Sequence, residues 1–231
     1  MGTRTADIAT MPRGGPDASL LDRLLQTDRR GYRGREVFGD AGGFAEIALD
    51  EVADVADPRI LELGAGRGAV SRLLLDWHPT AQVTVTDVDA AAVAAMAEGE
   101  LGAHRRAEVR QCDATAIDAP DNSFDLAVFV LSFHRLDPEA ATRVIAEGTR
   151  VADALLVIDL PRPPAPLHLV LLATMLPWAP LLPFVRGEVI SSLRAYSPSA
   201  LRALARHADP DIEVRLRGGC LGPQIMVARR A

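Results

Sequence analysis

Two rhythms of apolar residues alternate along this chain. Short stretches at Ile60–Leu63, Val83–Thr86, Ala107–Gln111, Leu126–Val130 and Ala154–Ile158 have the length of strands, and the unbroken apolar ones read as buried on both faces. Around them apolar residues recur three and four apart: Leu20, Leu21, Leu24 and Leu25, then Phe44 to Val55, then Val70, Leu73, Leu74 and Trp77. Ala90–Ala97 is helical by its alanine content. Glu139–Arg150 and Ser199–His207 follow Asp137-Pro138 and Ser197-Pro198, each a cap with proline in the first turn. Pro58 disfavours helix at Asp57 and so predicts the end of the second helix there. Ile212–Leu216 and Gln224–Val227, parted by a Gly-rich turn, read as an antiparallel hairpin. Strands alternating with helices predict an α/β fold around a parallel sheet.

Chemistry gathers at the end of the first strand. Glu62-Leu63-Gly64-Ala65-Gly66-Arg67-Gly68 sets an acid and three glycines between that strand and the next helix, and the second strand closes on Asp87. Glycines let the backbone turn tightly and approach a ligand with no Cβ in the way. An acid at the end of the second strand can accept two hydrogen bonds from a ribose diol. The dinucleotide fingerprint would place its third glycine at position 69, which is Ala69, while the extra glycine is Gly68. An acid before the turn would repel a pyrophosphate but suits a ligand carrying a cationic amine and a sulfonium. The segment closely resembles the first motif, D/E-x-G-x-G-x-G, of class I S-adenosylmethionine-dependent methyltransferases.

That resemblance runs from about position 40 to the end. It implies a Rossmann-like seven-stranded methyltransferase sheet with helices on both faces, and S-adenosyl-L-methionine as cofactor. It gives the methionine amine to Glu62 and a close backbone approach to Gly64, Ala65, Gly66 and Gly68. The ribose falls to Asp87, with Val88 beside it, and the adenine amino group to Asp113, with Ala114. Val130, ending the fourth strand, completes the cofactor set. Phe124-Asp125-Leu126-Ala127-Val128 resembles the family's F-D-x-V motif, and Asp125, which begins its strand, should lie away from the ligand edge.

Composition narrows the class. The chain reads as a leader (1–16) and one domain (17–231), with an N-terminal helical cap at 17–57 and an apolar lid inserted after the fifth strand at 161–190. The leader is polar and rich in Gly and Pro, with no apolar core of a signal peptide. A net charge of −6, with arginine-dominated and scattered basic residues, argues against nucleic acid as a partner. Cys112 and Cys220 make neither a disulfide framework nor a metal site, so a cytoplasmic location is expected. The longest apolar run between Pro161 and Val185 is about ten residues, and Pro177, Pro180 and Pro183 interrupt it. A spanning helix needs roughly 20, so no transmembrane segment is predicted. A lid with an apolar inner face, a homodimer or membrane-surface contact, and plain core cover are the three uses open to that segment.

Methyl transfer from a sulfonium is an in-line displacement, and a general base is needed only for a nucleophile that is neutral at pH 7. His134 and His168, both expected near the carboxyl edge of the sheet, are the candidate bases, with Asp159 to orient one of them or meet substrate. An ordinary packing or surface role is the alternative for each histidine. Tyr32, Phe133 and Trp178 are candidate substrate-pocket residues. Leu131-Ser132-Phe133-His134 stands where base-amino methyltransferases carry Asp/Asn-Pro-Pro-aromatic, and no acidic metal cluster of the catechol type is evident, so no metal is expected. The expected reaction is methylation at oxygen or carbon of a hydrophobic small molecule of quinone, phenolic or polyketide-like type. The alternatives are a non-catalytic nucleoside- or partner-binding module that uses 161–185, and an aminopropyl transferase, which would need further acids for a polyamine.

Overall fold

Residues 40–162, 166, 169, 170, 173, 174, 194–218 and 222–231 are described by a computed structural model. The strands are β1 (Arg59–Leu63), β2 (Gln82–Asp87), β3 (Ala107–Gln111), β4 (Leu126–Val130), β5 (Leu155–Asp159), β6 (Ile212–Arg217) and β7 (Gln224–Arg230). They form one seven-stranded sheet in the order β3-β2-β1-β4-β5-β7-β6. β1 to β5 run parallel, and β7 lies antiparallel to both β5 and β6. The chain order reverses at β1, which pairs β2 on one side and β4 on the other. The carboxyl ends there bound the crevice where open α/β sheets take ligands.

Side-chain alternation along each strand divides the core in two. Ile60, Val83, Val85, Val128, Leu156 and Ile158 pack with helices α1 (Ala41–Asp50), α2 (Ala69–Trp77) and α3 (Ala90–Ala97) through Phe44, Ala48, Leu74 and Met96. Leu61, Leu63, Ala127, Phe129, Leu155 and Val157 face the other way, against α5 (Pro138–Val151) and α6 (Pro198–Ala208). A short α4 (Glu100–Ala103) leads into β3. Asp137 and Ser197 cap α5 and α6 through the N–H groups of Ala140 and Ala200, as the proline-containing starts predict. Among the described residues no helix is long and apolar enough to cross a membrane.

Two local expectations are corrected. The helix expected over Phe44–Val55 is α1, Ala41–Asp50, begun by the Asp40 side chain on the Gly43 N–H. It stops eight residues before Pro58 because bonding tightens to Val52 N–H on Leu49 O and Val55 N–H on Val52 O, while Glu51 is drawn to Arg217 and Arg229. In α2 the buried stripe is Val70, Ser71, Leu74 and Leu75, and Trp77 is 51 % exposed. Apolar spacing alone misses this phase, because the residue pulled inward is the polar Ser71, held by Glu62. The leader, the Leu20–Leu25 helix, Tyr32, His168, Trp178 and most of the 161–190 insertion lie outside the described residues.

Candidate active site

At the end of β1 the chain turns through Gly64, Gly66 and Gly68, with φ of 63°, 61° and 67°. Those left-handed conformations are the reason for the glycines. A Cβ on Gly68 would lie 2.2 Å from Leu101 Cδ1, and one on Gly64 would lie 3.1 Å from the Phe129 ring. Two acids brace the junction from behind. Glu62, 3 % exposed on β1, accepts from the Ser71 N–H at 3.0 Å and from the Ser71 hydroxyl, in the first turn of α2. Asp87, ending β2, accepts from the Gly66 N–H at 2.8 Å through one oxygen and from the Asp89 N–H at 2.9 Å through the other. Each Asp87 oxygen keeps a second lone pair. Glu62 thus ties the end of β1 to the first turn of α2.

Asp113 follows β3, and its carboxylate takes the Thr115 N–H at 2.8 Å and the Thr115 hydroxyl at 2.7 Å. Those bonds hold its carboxyl below the usual carboxylate range. Val88 is exposed at the end of β2, Ala114 is half-buried and Val130 is nearly buried at the end of β4. Cys112 is half-buried, and desolvation raises its thiol. Asp125 lies at the amino edge, where it accepts from the Arg59 N–H at 2.7 Å. His78 and His104 also lie away from the carboxyl edge, each accepting from a nearby backbone N–H.

Beside the glycine turn, the residue after β4, Leu131, has φ of 49°, a left-handed conformation in a residue with a Cβ, costing about 1–2 kcal/mol. Its N–H is nevertheless fixed on Ile158 O at 2.8 Å. The kink swings the chain into a single 3₁₀ turn, Phe133–Arg135. There His134 and Asp159, at the ends of β4 and β5, meet: His134 Nδ1 lies 2.7 Å from Asp159 Oδ1, and the His134 N–H donates to Oδ2 at 2.5 Å. The Leu160 N–H donates to Oδ1 at 2.8 Å. Both side chains are under a tenth exposed. Phe133 is corrected as a pocket residue: it is 1 % exposed, wedged edge-on between Phe129 and Tyr196, and its ring fills core.

The sequence reading missed three side chains that organise this region. Tyr196 donates its hydroxyl to Leu136 O at 2.8 Å. Gln224 Nε2 donates to Tyr196 O at 3.1 Å, and Arg162 donates to Ala195 O at 2.6 Å. Each bond ties residues distant in sequence, and no spacing signals it. A cavity of about 350 Å³ bounded by Asp121, Arg150, Asp153 and Arg230 lies on the opposite, amino edge of the sheet, away from all these groups.

The donor set suits S-adenosylmethionine. Asp87 can take a ribose diol, Asp113 an exocyclic amino group, and glycines at positive φ keep Cβ atoms out of the cradle. A family model described as a methyltransferase domain matches residues 60–154. A demethylmenaquinone methyltransferase of Thermus thermophilus is 29 % identical over 219 residues, covering 87 % of this chain and 91 % of that protein. A malonyl-[acyl-carrier protein] O-methyltransferase of Geobacter sulfurreducens is 36 % identical over 97 residues, 42 % of this chain and 35 % of that one. A SAM-dependent methyltransferase structure from Aquifex aeolicus superposes with a TM-score of 0.59 at 20 % identity, over 93 % of this chain and 99 % of the other. Fold, acid–glycine turn and relatives together support a class I S-adenosylmethionine-dependent methyltransferase.

Proposed function

We propose that this enzyme methylates oxygen or carbon of a hydrophobic small molecule whose nucleophile must lose a proton, a phenol or hydroquinone. The observation that carries the reading is the buried His134–Asp159 pair at the carboxyl edge. Bound adenosylmethionine supplies an electrophilic methyl group that needs no further activation. Asp87, Asp113 and the turn of Gly64, Ala65, Gly66 and Gly68 hold the nucleoside and its methionine tail, with Val88 and Ala114 beside the ribose and adenine and Val130 at the end of β4. The carboxylate of Glu62 lends negative potential to the turn that receives the cationic amine.

Asp159, as the carboxylate, fixes the His134 tautomer with Nδ1 as donor, which leaves the Nε2 lone pair to take a proton from the acceptor. A buried pair of this kind is surplus for an acceptor already anionic at pH 7. One relative is named for demethylmenaquinone and another for malonyl-[acyl-carrier protein], and the pair favours the first kind of acceptor. The test is homocysteine release, coupled through adenosylhomocysteine hydrolysis, over demethylmenaquinol analogues, phenols, hydroxylated polyketides and malonyl thioesters. Turnover confined to phenols and quinols, lost about 10²–10⁴-fold in His134→Ala, is expected. Turnover of a malonyl thioester alone, indifferent to His134→Ala, would refute the reading.

A further inference from the structure

The turn that carries His134 is closed into a circuit of hydrogen bonds whose last members come from the far side of the 161–190 insertion. Asp159 grips His134 at ring and backbone. Two residues on, Leu136 ends the 3₁₀ turn, its N–H on Phe133 O at 3.1 Å, and its carbonyl accepts the Tyr196 hydroxyl. The Tyr196 carbonyl accepts from Gln224, and Gln224 stands opposite Asp159 in the β5–β7 register, which returns the circuit to its start. Arg162, leaving β5, holds the carbonyl of Ala195 and so fixes the backbone from which Tyr196 projects. The Tyr196 ring meets Phe133, the neighbour of His134, with centroids 5.7 Å apart.

Resting on the reading of His134 as the base, we propose that Tyr196 is a positioning residue for methyl transfer: its hydroxyl anchors Leu136 and so holds the His134 ring in the orientation Asp159 sets. Besides this anchor the turn is held by Asp159 on His134 and by the Phe133 ring in the core, so loss of the Leu136 tether frees residues 134–136 to shift and the imidazole with them. Burial, with the nearby carboxylates of Asp137 and Asp159, pushes the phenol up to about 12, so it stays an O–H donor at any working pH. Tyr196 moves no proton; it acts through His134.

The test substitutes Tyr196→Phe, which keeps the ring against Phe133 and removes only the donor. In ¹⁵N-histidine-labelled protein, with His134→Ala to assign the resonance, exchange of the His134 Nδ1 proton with water is expected to quicken about tenfold or more, while adenosylmethionine affinity is retained. With an accepted phenol or quinol, kcat should fall about three- to tenfold at constant KM for adenosylmethionine. Tyr196→Phe should cost nothing further in a His134→Ala background. Unchanged proton exchange, or an equal loss on top of His134→Ala, overturns the positioning role. A His134→Ala enzyme at wild-type rate instead overturns the base reading, and with it the catalytic meaning of the anchor, whatever the exchange experiment shows about the turn.

Discussion

Replacing Asp159 by asparagine probes the pair at the carboxyl edge with almost no change of shape. The carboxylate accepts three N–H groups, His134 Nδ1–H and Leu160 N–H on one oxygen and His134 N–H on the other, and it is 6 % exposed. An asparagine offers one acceptor oxygen. If that oxygen keeps the two donors of Oδ1, its NH₂ confronts the His134 N–H. If the amide turns over, the NH₂ satisfies Nδ1 only when the imidazole changes tautomer, and the Leu160 N–H is stranded. A buried donor without a partner costs about 1–3 kcal/mol, more where a charge-assisted bond is lost, so Asp159→Asn should cost about 2–4 kcal/mol. Urea unfolding reads that loss through the midpoint at constant slope. The second arrangement also places the proton on Nε2, so homocysteine release should fall about 10²–10⁴-fold even well below the unfolding midpoint. A variant within about 0.5 kcal/mol of wild type would refute the bonding account. A destabilised variant with full activity would leave the clasp structural and remove the base.

Elsewhere in the molecule, Gly68→Ala must place a Cβ 2.2 Å from Leu101 Cδ1 at φ of 67°, combining about 1 kcal/mol of backbone strain with about 1–3 kcal/mol of overpacking. Urea denaturation should show a loss of about 2–4 kcal/mol, and a change under about 0.5 would contradict the close approach. Glu147 accepts from Arg150 and from the Ile117 N–H, and chiefly the Arg150 bond holds its carboxyl below the ordinary value of 4.5. Its lowered native value means the stabilisation is present above pH 4.5 and disappears as pH falls through that lower value. Glu147→Gln should therefore be about 1–2 kcal/mol less stable than wild type near pH 7, the gap closing on acidification; a gap constant with pH would contradict the charge assignment.

What the sequence made legible is what local physics decides. Ala107–Gln111, Leu126–Val130 and Ala90–Ala97 carry the same bounds in the structure; for the wholly buried apolar run Leu126–Val130 and the alanine-rich helix, local composition alone is enough. The three acids do fall after or at the ends of neighbouring strands, and the glycines do take positive φ. Long-range polar pairing was not legible. Glu62 was named for its place before the turn, but its bond to the polar Ser71, nine residues on, carries no signal in apolar spacing. Phe133 was named for the substrate pocket, yet in the 3₁₀ turn that follows the Leu131 kink its ring packs into the core. His134 and Asp159 were both named, 25 residues apart, but only the parallel pairing of β4 with β5 brings them together. Arg106 gave no signal at all, though its guanidinium gathers the carbonyls of Leu75, His78 and Ala81 behind α2.

The central claim, that the crevice above β1, β2 and β3 receives a sulfonium-bearing nucleoside, is tested most directly by calorimetric titration of the wild-type chain and Asp87→Ala with adenosylmethionine and with NADH. Asp87 braces Gly66 and keeps lone pairs for the ribose, and loss of such charge-assisted bonds is worth about 1.5–3 kcal/mol. The account predicts adenosylmethionine binding in the micromolar range to wild type, weakened about 10- to 150-fold in Asp87→Ala, and no measurable binding of NADH. Tight NADH binding without adenosylmethionine binding, or adenosylmethionine affinity indifferent to Asp87, would contradict it.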